Sequence, residues 1–309
     1  VAEVIIDIHT HLFGITVEQL LSEAGRAGVR QVVSATVEVN LPALQSSEAL
    51  SRLKQRFQES PLWHRTLAGM WSFQQVENFL QELASAKLLP TNQELAELTR
   101  EYPHKLIGFG SLDPNGDEDY IEGKLEEIDA LGLHGIKLLP TFQFFNPSRS
   151  KGFELICQYC EKSNKPILYH TGCDPGPFEI PELSEDARPK YLAPVLEKYH
   201  PRIILAHLGA YSALQPGIWL EEGLELMKRY ENVYADTSAV SHLVYTERNV
   251  GRIREVGIER ILFGSDYPTV SGSDIKYEVE LIKNCSWLTE EEKDKILGLN
   301  AAKLLQLPV

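Results

Sequence analysis

Cysteine is scarce in this chain. Four among 309 residues are too few for the disulfide framework of a small secreted scaffold. Cys157 and Cys160 form a C-x-x-C, but inside "FELICQYCEKSNK", a stretch with helical spacing. Zinc and redox pairs usually sit in a loop or at a helix start, with partners elsewhere, so these two read as packed thiols. Positive charge is also short, with 30 Lys and Arg against 44 Asp and Glu and a formal net charge of −14. That balance argues against a nucleic-acid partner, which would want a basic patch. No run of about 18 uncharged apolar residues occurs, so no segment reads as a membrane helix. The sequence enters an apolar strand almost at once without a basic-then-apolar leader, and a cytoplasmic protein is expected. A G-x-S-x-G elbow, an H-E-x-x-H helix, a P-loop and a G-x-G-x-x-G fingerprint are all missing. "GFGSLD" supplies two of the three glycines, within a strand. There is no solenoid-period repeat and no low-complexity linker.

What is present is an ordinary globular composition, 43% hydrophobic and 24% charged, with chain enough for a large core. Apolar strand-like runs alternate with amphipathic helical stretches. The strands are "VIIDIHTH" (4–11), "QVVSATVEV" (31–39), "LIGFGSLDP" (106–114), "GIKLLP" (135–140), "PILYHTG" (166–172), "RIILAHLG" (202–209), "NVYADTSA" (232–239) and "RILFGSDYP" (260–268). Several are apolar throughout, as in a parallel sheet covered on both faces. Eight strands with helical crossovers are the count of an α/β fold, the (β/α)8 TIM barrel, here one domain over 1–309. One connection is too long. Residues 40–105 form a helical insertion between strands two and three, carrying "SFQQVENFLQELASA" and "TNQELAELTREY". Its opening part reads as a further helix with an apolar-rich loop, and the insertion is expected to wall or lid a site. The closing stretch "LTEEEKDKILGLNAAKLLQL" begins with a capping box, Thr289 and Glu292, and is expected on the barrel's outside.

The nine histidines are placed unevenly. His9 and His11 end strand one, His170 ends strand five and His207 ends strand six. Asp266 ends strand eight. Active sites of such barrels lie at the C-terminal ends of the strands, so these five residues converge on one face. His104, His134 and His200 precede strands and fall at the opposite end, His64 lies in the insertion, and His242 follows strand seven. Strand side chains alternate with period two, so His9 and His11 point the same way, into the barrel. Asp7 shares that face one step deeper, either as a hydrogen-bonding support for a ligand or as a floor residue paired with a polar neighbour. A lone histidine at a strand end is commonly just a satisfied polar residue. Three imidazoles and a carboxylate from strands one, five and eight, however, meet the need of Zn²⁺ for N and O ligands at about 2.0–2.2 Å.

The motifs "DIHTH", "GIKLLP", "HTG", "AHLG" and "GSDYP", with the terminal "GLNAAKLLQL", resemble the amidohydrolase superfamily. They are most similar to its amidohydrolase-related branch, which contains aminocarboxymuconate semialdehyde decarboxylase. The resemblance spans nearly the whole chain and explains the insertion least. It implies one divalent metal, Zn²⁺ first and Mn²⁺ second, held by His9, His11, His170 and Asp266. It also implies that His207 stands beside the water or substrate as an acid/base or polarising group. A bound divalent ion lowers the pKa of water from about 15.7 towards 7. Asp266 would then take the water's proton and deliver it to a leaving group, while His207 polarises a carbonyl or stabilises an oxyanion. Some branches carry a carboxylated lysine bridging two metals at the position of Lys137. In this branch a single metal is expected, with Lys137 a substrate-binding cation.

Two reactions fit that site. The first is hydrolysis of a small molecule at an amide, lactone or related C–N or C–O bond. The alternative is metal-dependent decarboxylation of an aromatic or unsaturated acid, which needs a cationic clamp for the carboxylate. Arg149, Arg188 and Arg248 follow strands four, five and seven, and Arg188 is the residue expected to bind substrate. A metal-binding barrel without catalysis is the third reading, and an open position beside His207 and Asp266 argues against it. The loops "TFQFFNPSRS" and "CDPGPFEIPELSEDARPKY" are expected to line the pocket. Phe142, Phe144, Phe145 and Phe178 there suit either a flat apolar substrate or core packing. The expected partner is a small molecule, with no nucleic acid or membrane, and a homodimer is expected from the branch.

Overall fold

Eight parallel strands run β1 (Ile6–Thr10), β2 (Gln31–Ala35), β3 (Leu106–Gly110), β4 (Gly135–Leu138), β5 (Ile167–Gly172), β6 (Ile203–Tyr211), β7 (Val233–Asp236) and β8 (Ile261–Leu262). Each pairs with the next in chain order. The chain after β8 returns to β1 through a parallel bridge between Thr10 and Tyr267. The Ile8 N–H donates to the Phe263 carbonyl (3.0 Å) and the Asp266 N–H to that of His9 (2.7 Å). The result is a (β/α)8 barrel, and every strand lies inside the stretch its sequence marked except β6, which runs two residues further to Tyr211. The computed structural model describes residues 4–38, 47–61, 72–85, 89–270 and 274–308.

Helices return the chain between strands, as parallel neighbours require. In order they are α1 (Val17–Arg26), α2 (Ser47–Glu59), α3 (Phe73–Ser85), α4 (Asn92–Glu101), α5 (Glu118–Ala130), α6 (Pro140–Gln143) and α7 (Lys151–Ser163). Then come α8 (Ala193–Leu196), α9 (Leu220–Arg229), α10 (Ser241–Val244), α11 (Glu247–Val256), α12 (Ile275–Lys283), α13 (Glu290–Asp294) and α14 (Asn300–Leu305). Thr16, Thr91 and Thr289 each close a capping box at the start of α1, α4 and α13, which satisfies otherwise orphaned N–H groups. Cys157 and Cys160 sit on the buried face of α7 as free thiols. Among the described residues no helix is long and apolar enough to cross a membrane.

Strand residues divide into two apolar layers. One faces the helices and includes Val32, Leu106, Tyr169 and Leu205. The other fills the barrel with Ile6, Ile8, Val33, Phe109, Leu168 and Ile204. Ala301, Ala302, Leu304 and Leu305 of α14 belong to this inner layer, which corrects the expectation for the closing stretch. Instead of lying along the outside, its last turns plug the barrel's bottom, where the Leu304 carbonyl accepts from Arg202 just before β6. The small faces of the two alanines let the helix seat there. At Gly298 the approach to β1 is so close that a Cβ would stand 1.8 Å from the Val4 carbonyl oxygen.

Between β2 and β3, α4 packs Leu95 and Ala96 into the outer core. The other two helices meet edge-on through Phe57 and Phe73, ring centroids 5.8 Å apart. Arg56 of α2 forms a bidentate pair with Asp186 (2.8 and 3.1 Å), and Ser60 donates to Glu182 (2.7 Å). The insertion therefore leans on the long loop after β5, at the end of the barrel where the histidines gather. Under β5, Phe153 packs at 5.5 Å against both Phe145 and Tyr169 and is fully buried. Phe153→Ala is expected to cost about 3–5 kcal/mol through lost transfer energy and a cavity, measured as a shifted midpoint in denaturant unfolding.

Candidate active site

The site begins with an irregularity in β1. Asp7 pairs with Val32 and Thr10 with Ser34, so three steps on β1 match two on β2. This is a β-bulge, which leaves one residue extra and re-aims side chains. Because of it, consecutive residues Ile8 and His9 both reach the interior, Ile8 into the apolar filling and His9 into the polar cluster above it. Asp7 lies before the extra residue and does not share the histidines' face as strict alternation predicts. Its Oδ1 accepts the backbone N–H groups of His9 (3.1 Å) and Ser265 (3.0 Å), which pins the strand-one end to the segment after β8. Burial raises its carboxyl to about 7. Room for His9 comes from Gly264, where a Cβ would stand 3.0 Å from that of His9.

Hydrogen bonds fix the imidazoles. His11 Nδ1 lies 2.8 Å from the Ala35 carbonyl. A carbonyl only accepts, so Nδ1 carries the proton and Nε2 is a lone pair. His9 Nδ1 faces Asp236 Oδ2 and Ser238 Oγ, each at 3.0 Å, so its Nε2 is likewise a lone pair. The two Nε2 atoms stand 3.1 Å apart. Asp266 Oδ1 is 3.5 Å from the first and 3.3 Å from the second. Ligands at about 2.1 Å in a tetrahedron are themselves about 3.4 Å apart, so this trio has the spacing and the donor types for a divalent ion. Three facing acceptors also repel one another unless a cation lies close by, and Lys137 Nζ, 3.0 Å from His9 Nε2, meets only one of the three. Burial, then the Lys137 charge, lowers His9 to about 4, so it is the neutral form that faces the site.

His207 stands beside the trio, its ring 5.1 Å from that of His9 and 5.0 Å from that of His170. Its Nδ1 donates to the Ser238 carbonyl (2.9 Å), which leaves Nε2 for a substrate. The backbone there is left-handed through His207, Leu208 and Gly209 (φ 63°, 50° and 73°), and Asp266 is too (φ 58°). Non-glycine residues adopt this region at a cost and cluster at functional sites. Lys137 on β4 is buried, and its Nζ donates to His9 Nε2 at 3.0 Å. Burial depresses the Lys137 ammonium below its ordinary range, against the pull of Asp266 and Asp236.

His170 reaches the same mouth but belongs to no such trio. Its Nε2 makes no hydrogen bond and lies 3.2 Å from Asp174 Oδ1. Arg188, the expected substrate clamp, is engaged elsewhere: its guanidinium pairs with Glu222 and with Glu185 (3.2 Å) and covers the Trp219 ring. Arg149, Arg248 and His242 are exposed, as are His104, His134 and His200 towards the other end. His64 lies outside the described residues. Phe145 is core, packed on Phe153 and Tyr169, and Phe144 is buried. Phe142 and Phe178 meet edge-on at 5.1 Å.

Sequence reasoning missed Asp236 and Ser238. Asp236 was visible by the same criterion that found Asp266, an acid at the C-terminal end of a strand. Its Oδ1 accepts from the His207 N–H (2.9 Å), the Ser238 N–H (3.0 Å) and Ser238 Oγ (2.5 Å), while Oδ2 holds His9. Burial alone would raise its carboxyl, but the His9 ring and these donors hold it well below the usual carboxylate range.

A (β/α)8 barrel with a histidine–aspartate donor cluster at its C-terminal mouth has the groups that could hold a divalent ion where such barrels carry their active sites. The chain matches the family model described as amidohydrolase over residues 6–307, and it belongs to that family. Among solved structures it is similar to 5-carboxyvanillate decarboxylase from Sphingomonas paucimobilis, at 14% identity and TM-score 0.65, covering 99% of this chain and 100% of that one. A probable 2-pyrone-4,6-dicarboxylic acid hydrolase from Acinetobacter baumannii, with citric acid bound, matches at 15% identity and TM-score 0.62, over 98% and 99% of the two chains. A mutant 5-carboxyvanillate decarboxylase from Novosphingobium aromaticivorans, with bound manganese, matches at 13% and 0.63, over 99% and 98%. No curated protein matches. The protein is thus an amidohydrolase-family enzyme whose neighbours include both hydrolases and decarboxylases.

Supporting partners of metal-binding histidines are worth about 10–100-fold in metal affinity. Asp236→Asn is expected to weaken Zn²⁺ or Mn²⁺ binding by that factor in a competition titration against a chromophoric chelator, with the circular dichroism spectrum unchanged.

Proposed function

We propose that the protein is a metal-dependent hydrolase of a small molecule, cleaving an amide, lactone or related C–N or C–O bond. The observation that carries this reading is the trio His9 Nε2, His11 Nε2 and Asp266 Oδ1, all within 3.5 Å of one another beside His207. In this reading His9, His11, His170 and Asp266 hold one divalent ion, Zn²⁺ or Mn²⁺. When bound, the ion supplies Lewis acidity and brings the pKa of water towards 7. Asp266 accepts the proton of the attacking water and passes it to the leaving group. His207, with its Nδ1–H held by the Ser238 carbonyl, presents Nε2 to the substrate. With a proton taken up there from solvent before the reaction, Nε2–H donates a hydrogen bond to the developing oxyanion and keeps that proton. Lys137 adds a buried positive charge at the mouth, its Nζ 3.0 Å from His9 Nε2, and in this reading it stays unmodified beside a single ion.

The decarboxylase reading has one observation in its favour, since the Lys137 ammonium could meet a substrate carboxylate. Among the described residues, however, no arginine reaches the cluster to complete a clamp, because Arg188 is held by Glu185 and Glu222. We therefore take hydrolysis as the reading to test first, with decarboxylation as its alternative. A screen of lactones and amides against aromatic acids with the metal-loaded enzyme is expected to give hydrolysis products, and release of carbon dioxide from an acid would overturn this reading. His207→Asn is expected to retain metal and lose about 10²–10⁴-fold in turnover, whereas His170→Ala loses the metal. Adding Zn²⁺ or Mn²⁺ to chelator-stripped protein is expected to raise Tm, by about 2.7 kcal/mol of stability at a hundredfold excess over Kd.

A further inference from the structure

Strand β6 brings a second side chain to the mouth besides His207. His170 pairs with Ala206 and Gly172 with Tyr211, so two steps on β5 match five on β6. The surplus residues form an irregular excursion that contains the left-handed turn at His207, Leu208 and Gly209. Tyr211 closes this excursion. Its carbonyl accepts from the Cys173 N–H (2.8 Å). A Cβ at Gly172 would stand 2.7 Å from that carbonyl oxygen and 3.1 Å from the Tyr211 Cβ, so only a residue without a side chain lets Tyr211 seat there. The next two residues are pinned as well, Ser212 Oγ and the Ala213 N–H donating to Glu179 (3.0 and 2.9 Å). The backbone around Tyr211 is thus held on both sides.

The Tyr211 ring lies 5.3 Å from that of His207, tilted by 41°. His9 and His170 make the other ring contacts of His207. All three histidines are buried, whereas Tyr211 is half-buried and forms the side of this ring cluster that meets solvent. Among the described residues its hydroxyl has no hydrogen-bond partner. Those of Tyr102, Tyr120, Tyr191 and Tyr245 are each spent on a protein group. Burial, then the charges of Glu179, Asp266 and Asp174, raise the phenol above its ordinary range, so it stands at the mouth as a neutral O–H. We infer that Tyr211 is a substrate-binding residue whose O–H donates to an uncharged oxygen acceptor of the substrate, a carbonyl, ester or ether oxygen, flanking the bond that is cleaved. This rests on the hydrolase reading and narrows its substrate class. A carboxylate in that place would meet the negative charge of Glu179, Asp266 and Asp174. The ring supplies an apolar body beneath the polar tip, as suits a flat substrate.

The test is ligand-observed NMR titration of metal-loaded wild type and Tyr211→Phe with acetophenone, ethylbenzene and benzoate. The three share a ring and differ in acceptor and charge, and the substitution removes the hydroxyl alone. A neutral hydrogen bond is worth about two- to tenfold in binding. Tyr211→Phe is expected to weaken acetophenone about fivefold and to leave ethylbenzene and benzoate within about twofold. Metal affinity by chelator competition and the unfolding midpoint are expected to stay at the wild-type values. Unchanged acetophenone binding overturns the inference. So does an equal loss for all three ligands, which would make Tyr211 a packing support of His207. A fivefold loss for benzoate overturns the uncharged class, and loss of metal would make Tyr211 a support of the ion instead. Turnover is not read in this experiment. Hydrolysis with unchanged acetophenone affinity removes this role and leaves the hydrolase reading, whereas carbon dioxide release from an acid with the fivefold loss intact does the reverse.

Discussion

A single buried carboxylate holds the site together. Asp236 stands at the end of β7 and bonds His9 of β1 through one oxygen, and the backbone and hydroxyl of the β6–β7 rim through the other. Taking a carboxylate out of water costs several kcal/mol unless donors surround it, and here four do. Two consequences share this cause. His9 is locked in the tautomer that presents Nε2 to the mouth, and the left-handed turn at His207 is held by its own N–H. The residues proposed for metal binding and for the oxyanion are thereby referred to one fixed point.

Much of the architecture was legible because parallel barrel strands are apolar on both faces, and the eight runs announced themselves. The polarity of the site was legible too, because His9, His11, His170, His207 and Asp266 end strands while His104, His134 and His200 precede them. What escaped was local and cooperative. The bulge at Ile8 and His9 follows from pairing with β2, which no alternation count along β1 contains, so Asp7 was assigned to the wrong face. The closing helix looks like any amphipathic outer helix until Ala301 and Ala302 are seen to make it narrow enough to enter the barrel's base. Arg188 was a plausible clamp by position, but its pairing depends on Glu222, far along the chain on α9.

The rim of the mouth has its own organisation. Asp186 joins Arg56 from the insertion to Asn146 from the loop after β4, while itself sitting in the loop after β5. Three excursions from the barrel thus meet at one acid, partly shielded from water, where an ion pair is worth more than at an open surface. Deeper in the mouth the contacts are of another kind, since Asp174 lies against His170 and Thr141 and takes no part in holding the rim.

The extra residue in β1 reaches further than the aim of one side chain. It places filling and function in adjacent letters of the sequence, Ile8 for the barrel's interior and His9 for its mouth. In a regular strand those duties would alternate with outward-facing positions, and changing one would shift the next. Here a change of the donor at position 9 leaves the apolar filling at position 8 in place, so the mouth can be altered without repacking the barrel beneath it.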